Sequence, residues 1–144
     1  MKKGTILAAV LALASTARAD GFVSKSYEFK ANKPLQVGIE LGDGAKFDSI
    51  EFVLPEPQGD KPTPLFEQPK AKVTVSNLGE ASVKIGIALA VVDGEGNLVG
   101  AGTGGTKLIP LRAGRQMVYS IGFDDVRQHL STASAFRITF ETTH

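Results

Sequence analysis

The chain has two histidines, His129 and His144, and no cysteine, so a zinc site would have to be filled mostly by carboxylates. Asp124 and Asp125 lie close before His129, a spacing that could serve as an acid–base pair. The same residues read more simply as the start of a short helical turn. Asp125 with Gln128 three residues on resembles a capping box, the acids favour the positive end of the helix dipole, and His129 is then a solvated imidazole. No Gly-x-Ser-x-Gly elbow occurs, and a serine triad would need His129 or His144 as its base. Two carboxylates far apart in the chain can cleave a glycosidic bond if folding brings them together, but the spacing favours no pair. The residues therefore predict no catalytic, cofactor-binding or metal-binding set.

Two further motifs look chemical at first reading. Gly100-Ala101-Gly102-Thr103-Gly104-Gly105 satisfies G-x-G-x-x-G, whose glycines bring a helix N-terminus against a pyrophosphate. Thr106-Lys107-Leu108-Ile109-Pro110 follows, and Pro110 forbids a helix interior. A P-loop fails as well, because Lys107 follows Thr106 and not a glycine. The segment is expected to be a glycine-rich strand end or bulge that lets another backbone come close. Asp93, Glu95 and Asn97 alternate oxygen donors like a calcium loop, but the twelfth position counted from Asp93 is Gly104, where an EF-hand has glutamate. A hairpin turn is the expected role.

The elements that would position these residues are strands. Alternate residues are apolar along Leu35–Leu41, Ile50–Leu54, Val73–Val75, Val83–Val91, Met117–Phe123 and Phe136–Phe140, the pattern of strands with one face on a core. Val23–Phe29 and Leu98–Ala101 are weaker candidates. Asn77-Leu78-Gly79-Glu80 and Asp93-Gly94-Glu95-Gly96-Asn97 supply turn chemistry between runs. Val126 and Leu130 at i, i+4 suggest a helical connector of one or two turns before the last strand. Seven or eight short strands with almost no helix predict an all-β, two-sheet immunoglobulin-like sandwich. Residues 55–69 carry Pro55, Pro57, Pro62, Pro64 and Pro69, so they cannot form a central strand. They are expected to be a long loop inside one domain spanning residues 20–144, and a candidate crossover between the sheets.

From Lys72 to Glu141 the order is a valine-rich strand, Asn77-Leu78-Gly79, a long strand, Asp93-Gly94-Glu95-Gly96-Asn97-Leu98-Val99, Leu111-Arg112-Ala113-Gly114, Met117-Val118-Tyr119-Ser120-Ile121, and a closing strand. That order resembles bacterial extracytoplasmic immunoglobulin-like domains of the FxLYD kind, although the Phe-x-Leu-Tyr-Asp string itself is absent. The resemblance implies a structural or binding module and carries over no catalytic residues.

The first nineteen residues have a signal-peptide layout: Lys2 and Lys3, an apolar stretch from Ile6 to Ala14, and Ala17-Arg18-Ala19 as the cleavage pattern at Ala17 and Ala19. The stretch is too short to span a bilayer, which takes roughly twenty residues. No lipidatable cysteine follows it. Removing Lys2, Lys3 and Arg18 leaves thirteen basic against fifteen acidic residues, a formal charge of −2. No basic run remains for nucleic acid or an anionic membrane, and no integral membrane segment is expected after cleavage. On the strand from Val83 to Val92, Lys84, Gly86, Ala88, Ala90 and Val92 occupy the face that would ordinarily be polar. Gly86, Ala88, Ala90 and Val92 are thus a candidate contact surface, either for the domain's own loop or for a partner. The sequence predicts a periplasmic or secreted, non-enzymatic sandwich binding another envelope or extracellular protein or a second copy of itself. A carbohydrate- or small-ligand-binding module and a carboxylate hydrolase are the alternatives.

Overall fold

Alternation fixes which side of each strand meets the core, and the computed structural model, which describes residues 21–55, 60, 68–123 and 125–144, shows how those sides face one another. Among the described residues eight strands form: β1 (Phe22–Glu28), β2 (Leu35–Gly42), β3 (Ala45–Val53), β4 (Lys70–Asn77), β5 (Lys84–Asp93), β6 (Leu98–Gly105), β7 (Gln116–Gly122) and β8 (Ala133–Thr143). They make two antiparallel sheets of four, in the orders β1-β8-β5-β6 and β2-β3-β4-β7. The expected two-sheet sandwich is thus observed, and both weaker candidates are strands. Phe47, Ile50, Phe52, Val73 and Val75 of one sheet face Ile85, Ile87, Leu89, Val91, Phe136, Ile138 and Phe140 of the other in a single buried core.

Several connections differ from expectation. The β3 strand begins at Ala45, not Ile50, and follows a two-residue Asp43-Gly44 turn with φ of 53° and 84°. Positive φ at both central residues is the hairpin geometry that Asp-Gly favours. Asp48 is an extra residue opposite β4, between the pairs Phe47–Val75 and Ser49–Thr74. This bulge lets Phe47 and Ile50, three apart, both point inward. The proline-rich segment does not cross between sheets: Val53 pairs with Lys70, so it joins neighbouring strands of one sheet. Residues 56–59 and 61–67 within it lie outside the described residues.

The helical connector is one 3-10 turn, Leu130–Thr132, and the Asp125–Gln128 capping box does not form. His129 takes the N-cap position without a side-chain cap bond. So short a helix cannot offset its nucleation cost alone, and here Leu130 is held instead by burial against β6. Val126 remains exposed. Among the described residues no helix is long and apolar enough to cross a membrane.

The glycines of β6 make the sheet-to-sheet contact at one edge. Gly100, Gly102 and Gly104 oppose the inward residues Val91, Leu89 and Ile87, so they too face the core. A Cβ at Gly102 would lie 2.5 Å from the Gly122 carbonyl oxygen of β7, and one at Gly104 would lie 2.8 Å from Ile121. These positions have no room for a side chain. Gly102→Ala is expected to lower stability by about 1–3 kcal/mol through overpacking. Gly94→Ala, with nothing within 4 Å of the new carbon, should change it by no more than about 0.5 kcal/mol. Urea unfolding of the two variants measures both.

Candidate functional site

The expected contact strip lies on the outer face of the β1-β8-β5-β6 sheet. Gly86 and Ala88 are exposed, and Ala90 and Val92 are partly so. Their cross-strand neighbours are Glu141, Thr139, Arg137 and Ala135 on β8, with Gly105, Thr103, Ala101 and Leu98 on β6. A Cβ at Gly86 would find its nearest neighbour, the Glu141 carbonyl oxygen, 4.0 Å away, so the surface is open there. Towards β1 the face turns polar. The Ser24 and Thr139 hydroxyls are 2.8 Å apart, and Arg137 donates to Ser26 at 3.3 Å. Beyond Gly105 the chain enters the loop carrying Leu108 and Ile109, 94% and 76% exposed. The Thr106 N–H donates to Ile85 O, and the Thr106 hydroxyl accepts from Ile85 N, which fixes the loop to the end of β5. Ala17 and Ala19 lie outside the described residues, as does Asp124.

The chemical motifs resolve into architecture. Gly100–Gly105 is the β6 strand with no helix after it, so no phosphate cradle forms and the close backbone approach does. Asp93 uses both carboxylate oxygens within its own turn. One accepts from the Glu95 and Asn97 backbone N–H groups at 2.9 Å, the other from the Asn97 side chain at 3.0 Å. The Asn97 side-chain donor, then the backbone donors, hold the Asp93 carboxyl below the usual carboxylate range. Among the described residues no three His, Cys, Asp or Glu side chains cluster to hold a metal ion. His129 is exposed, makes no ion pair with Asp125, and uses its backbone carbonyl to accept from Thr132.

His144 is engaged instead, in a clasp the sequence does not announce. Its Nε2 is 3.2 Å from Asp43 Oδ1 and its Nδ1 is 3.1 Å from the Ser82 carbonyl oxygen. Both partners are acceptors, and which ring nitrogen donates depends on the tautomer. The other Asp43 oxygen accepts from the Thr142 hydroxyl at 3.0 Å. Because the carboxylate stands between imidazole and hydroxyl, the histidine is not placed to activate Thr142 as a nucleophile. The clasp ties β8 to the β2–β3 turn.

A second site lies at the opposite edge from the glycine seam, where β1 and β2 border the core. Tyr27, Leu35, Ile50, Phe52 and Phe136 line a cleft of about 260 Å³, with Glu28, Lys30 and Lys33 exposed at its rim. The Tyr27 ring packs on Phe136 at 5.5 Å and edge-on to Phe47 at 6.4 Å. Its hydroxyl oxygen is buried and has no hydrogen-bond partner. The 29–34 connection beside the cleft is pinned to the end of β3. Asn32, with φ of 58°, donates from its backbone to Phe52 O at 2.7 Å and exchanges side-chain bonds with Leu54 at 3.0 and 3.3 Å. Lys25 opposes Ile138 and so takes an inward position on β1. The sequence signal for this site is a tyrosine on core parity in a strand at the sheet edge.

No protein-family model matches the chain, and no curated protein matches it.

The buried hydroxyl yields a direct prediction. Leaving it unpartnered costs about 1–3 kcal/mol, so Tyr27→Phe should raise stability by about 1 kcal/mol in urea unfolding, and a loss would contradict the assignment. A pH effect follows too. Burial raises both Tyr27 and Tyr119 above the usual phenol range. Above about pH 10 the unfolded chain releases protons that the folded chain still holds, so stability is level below that pH and falls above it. Urea midpoints across that range should show the drop, and Tyr27→Phe/Tyr119→Phe should reduce it.

Proposed function

We propose that this chain is an exported, non-catalytic β-sandwich that acts by contact, docking another envelope protein or a second copy of itself through the outer face of the β1-β8-β5-β6 sheet. The observation that carries the reading is the open strip of Gly86, Ala88, Ala90 and Val92 at the centre of that face. A central strand flanked on both sides has no free edge, so it can offer only a face, and side chains this small let a partner backbone approach closely. The Leu108–Ile109 tip adds exposed aliphatic surface at one end of the strip.

Export rests on the leader-like first nineteen residues, ending in Ala17-Arg18-Ala19. The resemblance of Lys72–Glu141 to FxLYD-type extracytoplasmic domains supports the same setting. The non-catalytic reading is supported by the separation of the acid–base groups: among the described residues His129 has no acid partner, and the ring nitrogens of His144 face Asp43 and a backbone carbonyl. A small-ligand module has its own support in the Tyr27 cleft.

Ala88→Arg tests the contact. The arginine stem has open space above the sheet, so the variant should melt within a few degrees of the parent, as surface substitutions do. It should lose the dimer in analytical ultracentrifugation, or the specific protein cross-linked to the parent in the cell envelope. A parent that sediments as a monomer and cross-links nothing that Ala88→Arg loses would refute the proposal.

A further inference from the structure

Resting on the contact face described above, we propose that its occupant is a second copy of this chain, packed face to face about a two-fold axis that lies over the row Ser24–Thr139–Ala88–Thr103. The axis runs across the strands, so each strand lies against its own copy with the direction reversed. A residue a given number of places before the row then meets the residue as many places after it. Charge carries this choice. Along β8, Arg137 and Glu141 are exposed two places to either side of Thr139. Under the rotation Arg137 comes over the partner's Glu141, and Glu141 over the partner's Arg137. The ends match as well: Lys84 lies four places to the Glu141 side of the row and Glu28 four places to the Arg137 side, both exposed. Positive and negative are thus exchanged by the operation that joins the copies. An axis along the strands would put arginine level with arginine and glutamate level with glutamate, and like charges brought together across an interface are costly.

The rest of the face fits the same rotation. Ala88 meets the partner's Ala88, and Ala90 lies over the partner's Gly86, where an added Cβ would first meet another atom at 4.0 Å. Side chains this small bring the backbones nearer than the usual ~10 Å between packed sheets. Arg137 is already held on the face by bonds to Ser26 and Ser24 at 3.3 and 3.5 Å, so pairing immobilises little that is free. The exposed Leu108–Ile109 tip and the half-exposed Leu98 lie at opposite ends of β6, so each tip falls at the partner's Leu98. Four strands ~4.8 Å apart and about eight residues long cover about 500 Å² per copy, the lower end for a specific interface, and the expected dissociation constant is on the order of 100 µM.

The test combines sedimentation at up to about 1 mM with charge reversal and cysteine trapping. The parent is expected to dimerise, and Arg137→Glu or Glu141→Arg alone to weaken the dimer about tenfold or more, since each sets like charges together in both pairs. Mixed with each other, the two variants should associate as the parent does, because each then meets its opposite. A folding defect is not repaired by mixing. The chain has no cysteine of its own, so Ala88→Cys, at the axis, should give a disulfide-linked dimer under mild oxidation. Ala90→Cys should not, because it stands about 13 Å along the strand from its copy. The proposal is overturned if the parent is monomeric at about 1 mM, if neither reversal weakens the dimer, if mixing restores nothing, or if Ala90→Cys cross-links as readily as Ala88→Cys. A monomeric parent whose envelope partner is still lost in Ala88→Arg overturns the self-contact alone and leaves the contact face standing.

Discussion

The approach of β6 to β7 is the constraint on which the rest of the sandwich depends. With Gly100, Gly102 and Gly104 facing inward, Val99 is the β6 side chain in the buried core, and the Gly122 backbone and Ile121 come directly against the glycines. Interiors are packed as densely as crystals, so a layer thinned on one side has to be filled by larger groups elsewhere. The rings of Tyr27, Phe29, Phe47, Phe52, Phe123, Phe136 and Phe140 form a connected aromatic chain through the core, reaching β1 on its far side. The Tyr27 cleft lies beside these rings, at the edge away from the glycine seam.

Polar groups at one end of the sandwich are matched as closely as the seam is packed. Asn77 is fully buried, yet its amide donates to Ala81 O and Leu111 O at 2.9 Å, and its side-chain oxygen accepts from Gly79 N at 2.9 Å. Its backbone binds Arg115 O and Gly114 N as well. One residue therefore joins the crossover from β4 to β5 with the segment entering β7. A buried amide so fully bonded specifies a single arrangement, because any other would strand several donors and acceptors at once. Against this standard the lone Tyr27 hydroxyl stands out.

The sequence was legible where an interaction is local or periodic. The alternation of Val83–Val91 identified both the core side of β5 and the strip of small residues opposite it, because side-chain direction in a strand depends only on parity. The start of β3 was missed because the bulge at Asp48 shifts parity between Phe47 and Ile50, so the run seemed to begin at Ile50. The proline-rich segment was correctly denied a central strand, but its role as a same-sheet connection depends on the pairing of Val53 with Lys70, which no local signal encodes. The expected helical turn over Asp125–Leu130 rested on the capping-box spacing and the Val126–Leu130 pair, but only Leu130 is buried and the turn forms at Leu130–Thr132. The Asp43–His144 clasp joins residues about a hundred positions apart, and the cleft gathers residues of β1, β2, β3 and β8. Neither leaves a periodic trace.

The pairing of β1 with β8 has a consequence for how the chain can fold at all. Among the described residues β1 has one strand neighbour, β8, which lies more than a hundred residues further along. β5, at the middle of the same sheet, likewise needs β8 on one side. As the polypeptide is made, β1 has nothing to pair with until β8 has followed. The sheet closes late, through contacts of very long sequence separation, which is the condition for slow folding. Until β8 is in place, β1 and one side of β5 present unpaired backbone.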